Sequence, residues 1–227
     1  PRAVSASDTK SGVSASDEWG MWRPLLESFF ELLAPLRCAA CERESEGALF
    51  CEGCALSLEY AEEDAPALFL YSGPIRDAVH ELKYRGRSDL GPRLGVPMAE
   101  KVLRSGISID RVMPIPLHPS RQRARGYNQA ALLAAKIASL LGVPLDRRSL
   151  VRTRVTPPQA ELDREERLQN LHSAFEIRAK EGELDGAKIL LVDDVMTTGA
   201  TLDAAAEVLF EAGVRRVDAF VLALAEA

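Results

Sequence analysis

Residues 189–205 read ILLVDDVMTTGATLDAA, with two adjacent carboxylates closing an apolar run just before a cluster of threonines and a glycine. Ile189, Leu190, Leu191 and Val192 form a short apolar segment without helical spacing, as expected of a strand buried on both faces of a parallel sheet. From Leu202 to Leu209 the apolar period becomes that of a helix. The unit reads as strand, loop, helix, with the polar cluster in the loop. Adjacent like charges at a sheet edge repel and draw in water, so Asp193 and Asp194 are unfavourable there unless a ligand uses them.

Around this unit the chain alternates. Residues 66–72, 111–117 and 215–225 read as strands. Residues 74–85 form a helix opened by Pro74, 89–106 a helix with breaks, and 128–142 an amphipathic helix capped by Asn128 and stopped by Gly142. Strands alternating with helices predict an α/β fold, a mainly parallel sheet covered on both faces. Residues 1–20, rich in Ser, Ala, Asp and Gly, read as a disordered tail or a cloning remnant. Residues 21–62 read as an N-terminal helix plus a cysteine segment, and 66–227 as the main domain. The charged tract 151–175, with its Pro-Pro pair, reads as a long mobile loop.

With 227 residues, 47% of them apolar, the chain has material for one sizeable core, or one core and a small appendage. No apolar run approaches the roughly 20 residues that span a bilayer. The nearest, residues 21–36, is interrupted by Arg, Glu and Pro and lacks a small-residue cleavage site, so the expectation is a cytoplasmic protein with no membrane insertion. The net charge of −6 is uneven: residues 1–65 carry 13 acids and 5 bases, whereas residues 111–154 carry nine bases and one acid, Asp146. The whole chain is thus no polyanion binder, but one segment has that character.

All four cysteines fall in CAACERESEGALFCEGC, as two C-x-x-C turns, Cys38 with Cys41 and Cys51 with Cys54. Each turn points two thiolates at one centre, and two turns complete a tetrahedron for zinc. With four protein ligands and no open position, such a site is structural, and the metal substitutes for a core the segment lacks. A pair of disulfides, or two unrelated redox motifs, is the alternative, and the absence of a secretory signal argues against the disulfides.

Three readings of ILLVDDVMTTGAT compete. The magnesium-holding strand of a nucleotide hydrolase would also need G-x-x-x-x-G-K-[ST], which the chain lacks. The acidic pocket of a phosphate-accepting receiver domain opens its domain, and too little chain follows Asp194. The third reading uses every residue type. Met196, Thr197, Thr198, Gly199, Ala200 and Thr201 offer backbone N–H groups and hydroxyls at a helix start, a nest for a phosphate, and Gly199 lets the backbone approach the anion. The two carboxylates suit a pair of vicinal hydroxyls, so a ribose 5-phosphate presents both features. In PIPLHPSRQRARGYNQ, Arg121, Arg123 and Arg125 lie between a strand and a helix, where guanidinium groups can grip a pyrophosphate. A solvated basic loop is the plainer alternative.

The string VDDVMTTGAT resembles the phosphoribosyl-pyrophosphate signature of type I phosphoribosyltransferases. That resemblance implies that Asp193 and Asp194 bind the ribose hydroxyls, as catalytic residues, and that Thr197 to Thr201 bind the 5-phosphate. The four cysteines, HELKYRGR, PIPL followed by RQRARGYNQ, and TPPQAELDREERLQN extend the resemblance to the ComF family of phosphoribosyltransferase-like proteins, over nearly the whole chain from Met21. By position the arginine loop corresponds to that family's pyrophosphate loop, Gln159 to Asn170 to its mobile hood, and Lys83, Tyr84, Arg85 and Gly86 to its KYRG element near the site. The resemblance implies a Mg²⁺-dependent transfer of a phosphoribosyl group to an unidentified acceptor, linked to DNA uptake. A second reading is a non-catalytic module that binds single-stranded DNA, with Tyr84 and Tyr127 beside the basic elements. A third docks a helicase-like partner on the cysteine segment.

Overall fold

The computed structural model describes residues 37–45, 47–154 and 174–225. The tail at 1–20, the expected helix after Met21 and the hood at 159–170 lie outside these residues.

In chain order the elements are α1 (Glu52–Ala55), β1 (Ala67–Leu70), α2 (Gly73–Tyr84), α3 (Leu90–Ser105), β2 (Arg111–Pro114), α4 (Pro119–Arg125), α5 (Gln129–Leu141), β3 (Leu150–Arg152), β4 (Phe175–Ile177), β5 (Lys188–Met196), α6 (Ala200–Glu211) and β6 (Arg216–Leu224). Four strands form a parallel sheet in the order β1-β6-β5-β2, and β3 pairs antiparallel with β4. The expected α/β architecture, a parallel sheet flanked by helices, is the one observed.

Successive side chains of a strand point to opposite faces, and the sequence of β5 serves both. Leu190 and Val192 pack with Leu82 of α2, Leu94 and Met98 of α3 and Leu133 and Ile137 of α5. Ile189 and Leu191 pack with Leu202, Ala205 and Leu209 of α6. The continuous apolar run is therefore the mark of a strand covered twice.

Three local readings change. β5 does not stop at Val192: Asp193 and Asp194 belong to the strand, because β6 pairs with it as far as Met196 opposite Leu224. Residues 119–125 form a short helix rather than a loop, with Pro119 at its first turn and the His118 imidazole accepting from the Ser120 N–H. Finally, α3 runs unbroken through Pro97. Its Gly91 and Gly95 lie against α5, where a Cβ would come within 2.4 Å of Leu132 Cβ and 2.8 Å of Lys136 Cβ respectively.

The cysteine segment is not a separate bead. Cys38, Ala39 and Phe50 belong to the same apolar cluster as α2 and α3. Arg93 of α3 donates to the Arg37 carbonyl (3.0 Å) and the Ala48 carbonyl (2.7 Å), clamping the segment onto the domain.

Candidate functional site

A crevice forms where the sheet reverses its winding. After β2 the chain goes to α5 on one face, and after β5 it goes to α6 on the other, so the loops leaving these adjacent strands diverge at their carboxyl ends. In open parallel sheets that is where ligands bind. Asp193 and Asp194 stand at this end of β5, α4 follows β2 there, and Ile115 N–H donates to the Val192 carbonyl at 2.8 Å.

The two acids face opposite ways. Asp193 lines a hollow of about 40 Å³ whose other walls are Val195, Met196, Thr197, Thr198, Gly199, Ala200, Thr201 and Leu202. Thr197 and Thr198 are exposed, and Gly199 takes φ +79° as the residue before α6, a conformation that favours glycine. The predicted threonine loop is thus a concave, open turn at a helix start. Burial pushes the Asp193 carboxyl up to about 7, the neighbouring Asp194 adds to the rise, and the Asp194 N–H, Lys83 and Arg152 oppose it. Asp193 Oδ1 accepts that N–H at 2.8 Å.

Asp194 is buried on the other face, 3% exposed, and pairs with Lys83 Nζ at 2.8 Å. Lys83 sits in the last turn of α2, and its ammonium is held above its ordinary range: burial lowers it, but Asp194 and then Asp193 outweigh that. Asp194 Oδ2 is buried with no hydrogen-bond partner among the described residues. An orphaned buried carboxylate oxygen at a crevice fits a group that supplies a positive charge or a hydroxyl donor.

Lys83 also lines a second hollow, of about 540 Å³, with Tyr84, Gly86, Arg121, Ala124 and Arg125. On a helix, residues four apart share a face, so Arg121 and Arg125 point into this cavity together, while Arg123 is exposed and does not line it. Arg125 donates to Gln129 Oε1 and lies over the exposed Tyr84 ring, 5.3 Å from its centre. The structure therefore brings Lys83, Arg121 and Arg125 together and leaves Arg123 apart. Arg152 of β3 is a further cation in range: burial lowers its pKa, Arg121 lowers it further, and Asp193 raises it. A three-residue strand offers no periodicity to reveal it, and nothing in the sequence marks Arg152 off from the other arginines of its tract.

In the N-terminal segment Cys38, Cys41, Cys51 and Cys54 converge, with all four sulfurs within 4.8 Å of one another and Cys41 Sγ to Cys51 Sγ at 3.6 Å. Four sulfurs at about 2.3 Å from a tetrahedral zinc stand about 3.8 Å apart, so the cluster fits such an ion. All four are free cysteines. Burial raises the Cys38 thiol, but the backbone N–H groups of Cys41, Cys51 and Ala40 outweigh it and bring it down to about 6, toward the thiolate that a metal requires. Among the described residues no helix is long and apolar enough to cross a membrane.

Comparison with known proteins shows the family. Residues 128–227 match the phosphoribosyl transferase domain family. The DNA utilization protein YhgH of Salmonella typhimurium is 33% identical over 157 residues, covering 67% of this chain and 68% of that protein. Competence protein F of Haemophilus influenzae is 36% identical over 116 residues, 51% of each chain. Among solved structures, the glutamine phosphoribosylpyrophosphate amidotransferase of B. subtilis superposes with a TM-score of 0.39 at 19% identity, over 70% of this chain and 29% of that one. With its four-cysteine segment, its phosphoribosyl transferase domain and these relatives, the chain belongs to the ComF family of phosphoribosyltransferase-like proteins.

Proposed function

We propose that this protein binds phosphoribosyl pyrophosphate with Mg²⁺ and transfers the phosphoribosyl group to an acceptor with loss of pyrophosphate. The observation that carries the reading is that three features gather about the carboxyl end of β5: the threonine hollow walled by Asp193, the Asp193–Asp194 pair, and the cavity of Arg121 and Arg125 walled by the Lys83 that pairs with Asp194. A ribose straddling the end of β5 would place its 5-phosphate over the turn from Met196 to Thr201 and its hydroxyls at Asp193 and Asp194. Its pyrophosphate would point toward the cations. As the ring gains positive character at C1, the carboxylates stabilise it, while Lys83, Arg121 and Arg125 take up the charge on the departing pyrophosphate. Mg²⁺, when bound, would neutralise part of that leaving-group charge, and the orphaned Asp194 oxygen is the buried donor that suits it.

Calorimetry with phosphoribosyl pyrophosphate and Mg²⁺ tests the reading. Binding by the wild type and its loss in Asp193→Asn combined with Asp194→Asn is the expected result; a wild type that gives no heat removes it. Release of pyrophosphate across a panel of nitrogenous bases would then name the acceptor. The four cysteines hold structural zinc in this reading, and metal analysis showing none would remove that part. The relatives' names, DNA utilization protein and competence protein, support a setting in DNA uptake. A cytoplasmic location and a helicase-like partner are part of the proposal and rest on the sequence reading alone.

One observation favours a second reading. The exposed Tyr84 ring, with Arg125 over it and His80 at 5.1 Å, is a stacking surface beside a basic cavity, as proteins that hold single-stranded DNA use. Oligothymidylate binding with a steep inverse dependence on salt is expected there. A flat salt dependence would count against it.

A further inference from the structure

Lys83 belongs to two places at once. Its ammonium is 2.8 Å from Asp194 Oδ1, both side chains are largely buried, and the same residue walls the cavity of Arg121 and Arg125. A buried carboxylate without a countercharge is strongly unfavourable, so Asp194 needs a cation whether or not a ligand is present. A second cation at Asp194 Oδ2 would make the Lys83 contact redundant, and the ammonium is tethered next to an anion site that lacks carboxylates of its own.

We propose that Lys83 is an exchangeable countercharge: it neutralises Asp194 while the crevice is empty and is handed to an anion in the Arg121 and Arg125 cavity when Asp194 accepts a divalent cation. No covalent step is involved. The exchange conserves charge, since the incoming cation takes over the carboxylate and the released ammonium meets the incoming anion. The two halves of the crevice are thereby coupled, and each ligand tightens the other by the same factor. This deepens the reading of the crevice as a sugar-pyrophosphate site and rests on it for the identity of the natural ligand.

The test uses the full chain and two probes without ribose, Mg²⁺ alone and sulfate alone, by calorimetry. In the wild type, millimolar sulfate is expected to tighten Mg²⁺ binding about tenfold, and Mg²⁺ to tighten sulfate equally. In Lys83→Met the competitor for Asp194 is gone but the anion contact is lost, so Mg²⁺ alone should bind about tenfold tighter and sulfate at least tenfold weaker. A lysine that merely supported the local fold would weaken both. Loss of affinity for both probes in Lys83→Met, or no coupling between them in the wild type, overturns the proposal. If Lys83→Met does not fold, the wild-type coupling still decides. A wild type that couples Mg²⁺ and sulfate yet ignores phosphoribosyl pyrophosphate would remove the transferase reading and keep this one.

Discussion

Asp193 is a carboxyl whose pKa burial lifts to near neutrality, and its pH dependence has a definite sign. Its ordinary value is near 3.8 and burial beside Asp194 raises it to about 7. The folded protein then keeps a proton that the unfolded chain has released, so stability from this group is complete below about pH 4 and falls as pH rises through about 7. The slope is at most about 1.4 kcal/mol per pH unit. Asp193→Asn should therefore be more stable than the wild type at pH 7.5, with the difference vanishing near pH 4 in urea unfolding. A ligand that donates hydrogen bonds or positive charge to Asp193 reverses this cost. Its binding should expel a proton and strengthen as pH rises from 6 to 8, as calorimetry in buffers of different ionisation enthalpy would read. Lys83 carries the opposite liability. Lys83→Met leaves Asp194 buried and uncompensated, which should cost about 3 kcal/mol or more, and Lys83→Met with Asp194→Asn together should recover part of that.

At the scale of elements, the crossing of α3 with α5 fixes where α5, and with it the α4 cations, sits against the sheet. Gly91 and Gly95 make that crossing possible, since a Cβ at either would strike α5 atoms at 2.4 Å and 2.8 Å. Gly91→Ala should lower stability by about 1–3 kcal/mol, measured by denaturant unfolding, because the helices must separate or shift. Asn128 caps α5 through its side chain and also donates to the Ile115 carbonyl, so Asn128→Ala should cost roughly 1 kcal/mol or more. These elements also mark what the sequence makes visible. The amphipathic run of α5, with Asn128 before it and Gly142 after it, was readable because period and caps agree. So was the doubly buried run of β5. The α4 helix was not, since PSRQRAR buries nothing and has no apolar period, and only Pro119 after His118 hinted at a start. The β3–β4 pair was missed because three-residue strands are set by their partner rather than by their own pattern. Within the site, the acids and threonines were legible because they are neighbours in the chain. The Lys83–Asp194 pair was not, because only the packing of α2 on β5 brings them together.

For the whole molecule the question is whether the cysteine segment folds on its own account or with the domain. Cys38, Ala39 and Phe50 share the apolar cluster of α2 and α3, and Arg93 spans the boundary with two hydrogen bonds to backbone carbonyls. Arg87, which follows the KYRG element and pairs with Asp89 at 2.9 Å, adds a longer ion-pair contact across the boundary, to Glu42 at 3.7 Å. A segment tied down at so many points cannot lose its organising centre privately. Cys38→Ser, or removal of the metal by a chelator, should therefore shift a single cooperative thermal transition downward rather than split off a small early one. Two separate transitions would show that the segment is an independent unit. Arg93→Ala tests the clamp from the other side, because it leaves all four sulfurs in place. Metal content should be retained while the transition falls, by about 2–4 °C for each kcal/mol lost with the two hydrogen bonds. If Arg93→Ala left the melting temperature unchanged, the apolar contacts of Cys38 and Phe50 alone would carry the coupling. If it released the metal as well, the clamp would be part of the cysteine site itself, holding Arg37 and Ala48 in the positions that bring the two C-x-x-C turns together.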